Sequence, residues 1–295
     1  MELNQANFRA LTLAFNMSFQ DAFNETPAQW NRFAMRTESA TSESVYPWLG
    51  QTTRFREWLG DRVIQGLTVH GFTIKNKPFE NTVGVDRDSI DDDQYGVYKP
   101  LMAQMGRDAK RHPDMLSYGL LKQGESALCY DGQPFFSTDH PVGEQGYEKS
   151  VSNDMGGTDV PWYLVDASQV IKPMIVQFRK DYQFVALNRP DDLPNFMKKE
   201  LVFGSDARLN VGFGLWQLAA RSAQTLTAEA FGAARAAMQS LKSDAGAALG
   251  VNPTLLIVPP QLEGKARTIL HAEQINATTN IYKGLADVLV APYLA

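Results

Sequence analysis

Large apolar residues recur every three or four positions near the start of the chain. They are Phe8, Leu11, Phe15, Phe19 and Phe23. This spacing predicts a helix with one strongly apolar side. Such a side either packs on the core of its own chain or lies against a neighbouring subunit, and the pattern leaves both alternatives open.

A second and longer helical pattern occupies residues 91–124. Its apolar residues are Tyr98, Leu101, Met102, Met105, Ala109, Leu116 and Leu120. They form one stripe of a helix which, at about 30 residues, would be roughly 45 Å long. The acidic run at residues 86–93 suits the N-terminus of such a helix. Pro113 removes a backbone donor and predicts a kink near Arg111.

Between these two helices the pattern changes to strands. Residues 67–74 and 79–85 are β-like, and the turn residues 76–78 lie between them. We therefore predict a projecting β-hairpin over this region. The polar residues 37–44 before it predict a linker.

The second half of the chain alternates strand-like and helical segments. Strands are predicted at residues 162–165, 174–177, 184–187, 196–203, 210–218, 253–259 and 287–290, the fourth and fifth as a pair around Gly204. Thr227 predicts the N-cap of a helix from residue 228 to about 241, and a further helix is predicted over residues 261–271. This order predicts an α+β fold whose last part is a compact α/β layer.

Composition and charge narrow the class of protein. The 295 residues can form a good core and two subdomains. The net charge of -5 argues against a basic nucleic-acid-binding face, and the single cysteine, Cys129, excludes an internal disulfide and multi-cysteine zinc sites. No apolar run approaches the ~20 residues of a membrane span, and no signal-peptide pattern begins the chain. We expect a soluble intracellular product without a membrane partner.

Candidate chemistry is sparse. None of the four histidines lies three or four residues from another, so no helical metal pair is predicted. Ser137, Asp139 and His140 are close in sequence, but residues of a catalytic triad converge through the fold. Calcium loops begun at Asp86 or Asp91 place non-ligating residues at ligand positions. The sequence thus predicts no catalytic, cofactor-binding or metal residues, and no cofactor.

Many short motifs nevertheless resemble one family. They are Tyr46-Pro-Trp-Leu-Gly50, Glu57-Trp-Leu-Gly-Asp-Arg62, His70-Gly-Phe-Thr-Ile74, Val85-Asp-Arg-Asp88, Asp92-Asp-Gln-Tyr-Gly96, Cys129-Tyr-Asp-Gly132, Phe135-Phe136, Asp139-His-Pro141, Gly212-Phe-Gly-Leu-Trp-Gln217 and Pro253-Thr-Leu-Leu-Ile-Val-Pro259. In this order the series is similar to the major head (capsid) subunit of Mu-like bacteriophages, the gpT family, along nearly the whole chain.

The resemblance implies the tailed-phage capsid fold, called the Hong-Kong-ninety-seven fold. Its parts would be an N-terminal arm (1–44), an E-loop hairpin region (45–87), a peripheral domain with a spine helix (88–222, spine about 91–124) and an axial domain (223–295). Because the chain ends on the α/β unit and not on a peripheral strand, the boundaries after residue 128 depart from the usual family order.

The implied function is structural. Pentamers and hexamers would close into an icosahedral head around double-stranded DNA without sequence-specific binding, in the virion, after assembly in the bacterial cytoplasm. Scaffold and protease would be separate proteins, and a portal and a decoration protein further partners. Two alternatives are a shell enclosing protein cargo and a hydrolase using His140. The residues expected at contacts between subunits are Trp58, Glu57, Arg62, Phe15, Phe19 and Trp48.

Overall fold

The protein is described by a computed structural model that covers residues 5–46, 72–91, 95–143, 146–187, 192, 197–275 and 277–295. The helices are α1 (Gln5–Glu25), α2 (Arg87–Asp91), α3 (Tyr95–Lys122), α4 (Ala228–Gln239) and α5 (Glu263–His271). Single 3-10 turns lie at Trp30–Arg32, Trp216–Leu218, Pro260–Leu262 and Pro292–Leu294. Within these residues, no helix has the length and apolar character needed to cross a membrane.

Fifteen strands are described. They are β1 (Ala34–Glu38), β2 (Glu43–Tyr46), β3 (Phe72–Lys75), β4 (Lys77–Asp86), β5 (His140–Val142), β6 (Lys149–Val151), β7 (Asp154–Gly157), β8 (Trp162–Val165), β9 (Met174–Leu187), β10 (Glu200–Phe213), β11 (Ala219–Ala223), β12 (Leu255–Val258), β13 (Gln274–Ile275), β14 (Thr278–Thr279) and β15 (Asp287–Val290).

The first large sheet has four strands in the order β1-β9-β10-β4. Its two central strands are 14 residues each and antiparallel. The prediction of separate short strands at 174–177 and 184–187 is therefore wrong, since both belong to β9. The predicted pair around Gly204 is likewise one strand, β10. Gly204 does not end it, because Gly204 pairs with Thr82 of β4 and with Val185 of β9 without a shift in register.

Helices α1 and α3 cover one face of this sheet. The phenylalanine stripe of α1 and the stripe of α3 point into it, as their spacing predicts, although Leu101 is 42% exposed. At 28 residues, α3 is about 42 Å long. It contains Pro113 within a single helix, and the predicted kink stays a prediction.

The predicted hairpin over residues 67–85 is wrong. Strand β3 pairs with β2, and β4 pairs with β10. The turn residue Asn76 separates the two sheets, because its side-chain amide donates to Ser39 Oγ and to the carbonyl oxygen of Thr41. These partners lie before β2, so the chain leaves the β2–β3 pair at Asn76 and does not fold back on β3.

The predicted linker at residues 37–44 is wrong in part. Residues 34–38 form β1, which pairs in parallel with β9, and residues 43–46 form β2. Only the four residues between them are a turn. Both strands lie at sheet edges, where alternate side chains face solvent and can be polar. The polar composition of this segment therefore resembles that of a linker.

The second large sheet has the order β15-β12-β8-β11-β7 and carries α4 and α5. The predicted strands at 162–165, 253–259 and 287–290 and the helices at 228–241 and 261–271 are confirmed. Thr227 caps α4 by accepting a hydrogen bond from the Ala230 N–H. Strands β7 and β8 lie before residue 223 and β11 ends at it, so the boundary predicted at 222/223 passes through this sheet.

Candidate assembly surfaces

Helix α1 has an apolar side toward its own chain. The Phe15 ring meets Phe203 edge-on at 5.0 Å between centroids, and the Phe19 ring lies 5.6 Å from that of Phe184. Both phenylalanines are 1% exposed. This arrangement corresponds to the first alternative from the sequence, packing on the chain's own core. A contact of Phe15 or Phe19 with a neighbour stays a prediction.

The opposite side of α1 is apolar as well. Leu13 and Met17 are both more than half exposed. They lie four residues apart, between the buried phenylalanines of the other side, and are therefore on one outer face of the helix. That spacing was readable in the sequence but was obscured by the stronger phenylalanine stripe. This face is a candidate contact surface that the sequence analysis missed.

The β2–β3 pair is anchored on the second face of the four-stranded sheet. The Tyr46 O–H donates to Gln177 Oε1 at 2.7 Å, and Gln177 Nε2 donates to the Ile74 carbonyl and to Asn76 Oδ1. Burial raises the pKa of Tyr46, which keeps this donor protonated. A Cβ at Gly212 would lie 2.3 Å from Ile74 Cδ1, so β3 packs directly on β10. The β2–β3 pair is thus held on this face of the sheet by hydrogen bonds and by close packing.

Residues 47–71 connect these two strands. Trp48, Glu57, Trp58 and Arg62 are part of this segment and lie outside the described residues. Their role at contacts between subunits stays a prediction. The structure does show where the segment is attached. It follows the end of β2 and leads into the start of β3.

The far half of the same sheet face is exposed and apolar. Leu187 lies opposite Val202, which lies opposite Gly84, and Val185 lies opposite Gly204 in the next row. The side chains of Val185 and Leu187 are about half exposed. The two glycines leave this surface flat. Valine and leucine in neighbouring rows then offer apolar area to another polypeptide.

Carboxylates border this apolar area. The same register places Asp86 opposite Glu200 and Glu80 opposite Asp206, all pointing to the same side as Val202. Asp206 is paired with Lys180. We call the combined surface of Val185, Leu187, Val202, Glu80, Asp86 and Glu200 the acidic apolar face. A partner for it would carry apolar and basic side chains.

The candidate triad of Ser137, Asp139 and His140 does not converge. Ser137 Oγ accepts the Asp139 N–H, and the Asp139 carboxylate accepts a hydrogen bond from Ser150. His140 has no exposed surface, and its ring bonds to Asp131 instead. The three side chains have separate structural partners, and this arrangement provides no nucleophile beside a base.

One group of three possible metal ligands lies in the described part of the chain, namely Cys129, Asp131 and His140. The Cys129 thiol donates to Asp131 Oδ1 at 2.8 Å, and His140 Nδ1 lies 2.6 Å from Asp131 Oδ2. These are hydrogen-bond distances, shorter than the separations between ligands around a zinc ion. Burial, followed by the bond to Asp131, raises the pKa of the Cys129 thiol and opposes the thiolate that a metal needs. The group is a hydrogen-bonded cluster of the core.

Comparison with known proteins identifies relatives over the full chain. The family described as Mu-like prophage major head subunit gpT matches residues 8–294. The major capsid protein of Escherichia phage Mu is 37% identical over 100% of both chains. The Mu-like prophage FluMu major head subunit of Haemophilus influenzae is 39% identical over 97% of both chains.

Solved structures give the same result. A chain of the procapsid of bacteriophage JBD30 has a TM-score of 0.89 at 41% identity, over 99% of this chain and 100% of that one. A chain of the JBD30 capsid has a TM-score of 0.79 at 32% identity, over 100% of both chains. A chain of the JBD30 capsid decorated with minor capsid protein trimers has a TM-score of 0.77 at 34% identity, over 94% of both.

Proposed function

This chain belongs to the family of Mu-like prophage major head subunits, and we propose on that premise that many copies of it close into the icosahedral head of a phage. The fold is that of tailed-phage major capsid proteins. The family consists of structural capsid proteins and not of enzymes. The observation that carries the proposal is the agreement of the fold with a procapsid chain over the full length of both.

Further partners belong to the proposal. The copies would form pentamers and hexamers around double-stranded DNA, with a separate scaffold, a separate protease and a portal, in the host cytoplasm. A trimeric minor capsid protein decorates the JBD30 capsid, and a decoration protein of this kind is an expected partner here. The net charge of -5 suits a shell that encloses DNA without gripping it.

Electron microscopy of particles from the native source tests this function. Particles of megadalton mass, containing DNA and built mainly from this chain, are the expected result. A chain that stays a monomer of 32.8 kDa in the presence of its assembly partners would contradict the proposal. Particles that contain protein cargo and no nucleic acid would support the alternative of a cargo compartment.

For the contact between subunits, we infer that residues 47–71 of one copy bind the acidic apolar face of another. This segment contains Trp48, Trp58 and three arginines, including Arg62. Tryptophan and arginine are the residues that dominate protein interfaces. The face offers both counterparts, namely apolar area at Val185 and Leu187 and carboxylates at its border.

A charge exchange tests this contact. Arg62→Glu and Glu200→Lys should each lower the particle yield, and the double variant should restore a large part of it. Glu25→Lys, at an exposed carboxylate on the end of α1, is the matched control and should assemble normally. Independent losses without restoration would reject this pairing, while particles formed by the wild type would leave the head-subunit function intact.

Trp58 provides a second test of the same contact. Trp58→Ala should lower particle yield more than it lowers the amount of soluble subunit, since its indole would be lost from an interface and not from the core. Equal losses of yield and solubility would place Trp58 in the core of its own chain. In that case Glu57 and Arg62, which flank it in sequence, would lose their proposed role as well.

The domain division is also a proposal. The spine helix α3 and the four-stranded sheet would form the peripheral domain. The five-stranded sheet would be the axial domain, which takes in β7, β8 and β11 as well as the strands after residue 223. This shifts the boundary predicted at 222/223, because the hydrogen-bonded ladder between β8 and β12 joins both sides of it.

A further inference from the structure

A recess lies between helix α3 and the edge strand β4 of the four-stranded sheet. Its volume is about 450 Å³, and small-molecule sites have volumes of about 300–1,000 Å³. Small side chains account for this space. Ala109 of α3 lines it, together with Ser205 and Ala207 of β10, and all three residues are at most 8% exposed. Larger side chains at these positions would fill the space between the helix and the sheet.

The remaining lining of the recess is largely apolar. Phe79 of β4 and the buried Met105 of α3 belong to it, and so do the more exposed side chains of Met115 and Tyr293. Methionine side chains are flexible and adapt to the shape of the group that they contact. The lining therefore suits a compact apolar molecule.

His112 contributes a hydrogen-bond donor to this lining. Its Nδ1 lies 2.6 Å from the Tyr182 hydroxyl oxygen. Burial raises the pKa of Tyr182 and lowers the pKa of His112, so both side chains are neutral at pH 7. The Tyr182 hydroxyl has no other acceptor in the described part of the chain, so it donates to Nδ1. The ring proton of His112 is therefore on Nε2.

Two polar groups of the lining have no hydrogen-bond partner among the residues that the structure describes. One is His112 Nε2, whose ring is held in place by the Tyr182 hydroxyl and by the Phe79 ring, with centroids 4.4 Å apart. The other is the buried hydroxyl of Ser205. A few polar groups within an apolar lining are what orients a small ligand in its site.

The charged groups of the lining have both signs. Glu80 and Asp108 contribute carboxylates, and Arg111 contributes a guanidinium group. All three residues are exposed, so water screens their charges. The recess therefore does not select an ion of either sign, and it suits a neutral molecule.

We propose that the recess between α3 and β4 is a binding site for a small neutral molecule with an apolar body and one hydrogen-bond acceptor. The body packs against Phe79, Met105 and Ala109, and the acceptor binds the Nε2–H of His112. A bound molecule contacts both the helix and the sheet, so it stabilises the folded chain in proportion to its occupancy. This site goes beyond the proposed role in the head and does not depend on it.

Nuclear magnetic resonance of the full-length subunit with 13C-labelled methionine methyl groups tests binding. The probe is acetophenone, which has an aromatic body and a carbonyl acceptor. Acetophenone should shift the Met105 and Met115 signals until they saturate, and should leave those of the exposed Met17 and Met197 unchanged. An unchanged Met105 signal, or equal shifts of all four signals, would overturn the proposal.

The His112→Phe variant tests the hydrogen bond. Ethylbenzene, which has the skeleton of acetophenone without the oxygen, is the reference probe. The variant should bind acetophenone about fivefold more weakly than the wild type and ethylbenzene about equally, since one hydrogen bond is lost. Equal effects on the two probes would overturn the assignment of an acceptor-bearing ligand.

A variant at the exposed side of the recess tests the location without removing a buried group. Met115→Trp places a larger ring there and should weaken the binding of both probes. Met197→Trp is the matched control, because Met197 is exposed and does not line the recess. Equal affinities of the two variants would overturn the placement, even if His112→Phe does not fold.

A side chain of a neighbouring subunit has the same chemistry when it is a tyrosine. Equilibrium dialysis of acetophenone against assembled particles distinguishes this source from a free molecule. We expect binding to persist in the particles, because the recess is formed within one chain. Loss of binding on assembly would show that a neighbour covers the recess, and would overturn the assignment of a small molecule.

Discussion

A Cβ atom at Gly106 of α3 would lie 2.2 Å from the carbonyl oxygen of Phe19 in α1. The two helix backbones are thus in direct contact at this crossing. The aromatic stripe of α1 can reach the sheet beside α3 because no side chain separates the helices here. Gly106 therefore sets the distance between the N-terminal helix and the spine helix.

Gly106→Ala should destabilise the subunit by roughly 2–4 kcal/mol, because the obstructing atom is backbone and both helices must shift. Gly119 is the matched control in the same helix, since a Cβ there meets nothing within 4 Å. Gly119→Ala should be neutral or stabilising by up to about 1 kcal/mol. Denaturant unfolding of both variants checks this, and equal effects would mean that α1 does not need the close approach.

The sequence identified elements whose spacing is local. The stripes of α1, α3 and α4 follow the helical period, and the buried strand β12 is a short apolar run between prolines. These features depend only on neighbours along the chain, so a single sequence reveals them.

Strand pairing could not be read in the same way. Asn76 and Pro78 have the composition of a hairpin turn, but Asn76 is held by Gln177, 101 residues away, and β4 pairs with β10. A local turn signal does not specify which strand lies beside which. For the same reason the acidic apolar face was not predicted, because its carboxylates come from two strands that are distant in sequence.

The His140 cluster was missed for a related reason. The sequence drew attention to Ser137 and Asp139, which are close to His140 along the chain. The structure instead places Asp131, Asn153 and Trp216 against its ring. No spacing rule connects these residues, so no motif search would have found them.

Asp114 links the spine helix to the end of the N-terminal segment. Its Oδ1 accepts the backbone N–H groups of Gln29 and Trp30, at 2.9 and 2.6 Å. Asp114→Ala should cost about 1–3 kcal/mol, since two part-buried donors lose their buried acceptor. Asp114→Asn keeps an oxygen there and should cost less. Equal losses in denaturant unfolding would show that the two hydrogen bonds contribute little.

The Asp114 carboxylate also makes the stability of the folded chain depend on pH. Burial raises the pKa of Asp114, although the two N–H donors partly oppose this. The folded state therefore takes up a proton at a higher pH than the unfolded chain does. The stability of the wild type relative to Asp114→Asn should rise as the pH falls from the raised pKa toward about 3.9. A difference that stays constant between pH 7 and pH 4 would contradict this.

Two neighbouring glycines of β7 make a second matched pair. Gly157 has φ +105°, and a Cβ there would lie 2.1 Å from the Ala223 carbonyl group, whereas Gly156 has φ +70° and open space around it. Gly156→Ala should cost about 1–2 kcal/mol of backbone strain. Gly157→Ala should cost more, roughly 3 kcal/mol or above, because β7 must separate from β11. Thermal unfolding compares the two variants. Similar melting temperatures would mean that β7 can move away from β11 at little cost in stability.

The reactivity of the Cys129 thiol measures how readily the segment around this residue opens. Burial, together with the hydrogen bond to Asp131, raises the pKa of its thiol. Because the thiolate is the reactive form, alkylation of the folded subunit at pH 8 should be at least about 100-fold slower than in the unfolded chain. Cys129 is the single cysteine, so mass spectrometry after iodoacetamide treatment reads this site alone. The guanidinium-unfolded protein is the control. Equal rates in the folded and unfolded protein would show that the segment around Cys129 opens readily, and that the hydrogen bonds of Asp131 do not keep it closed.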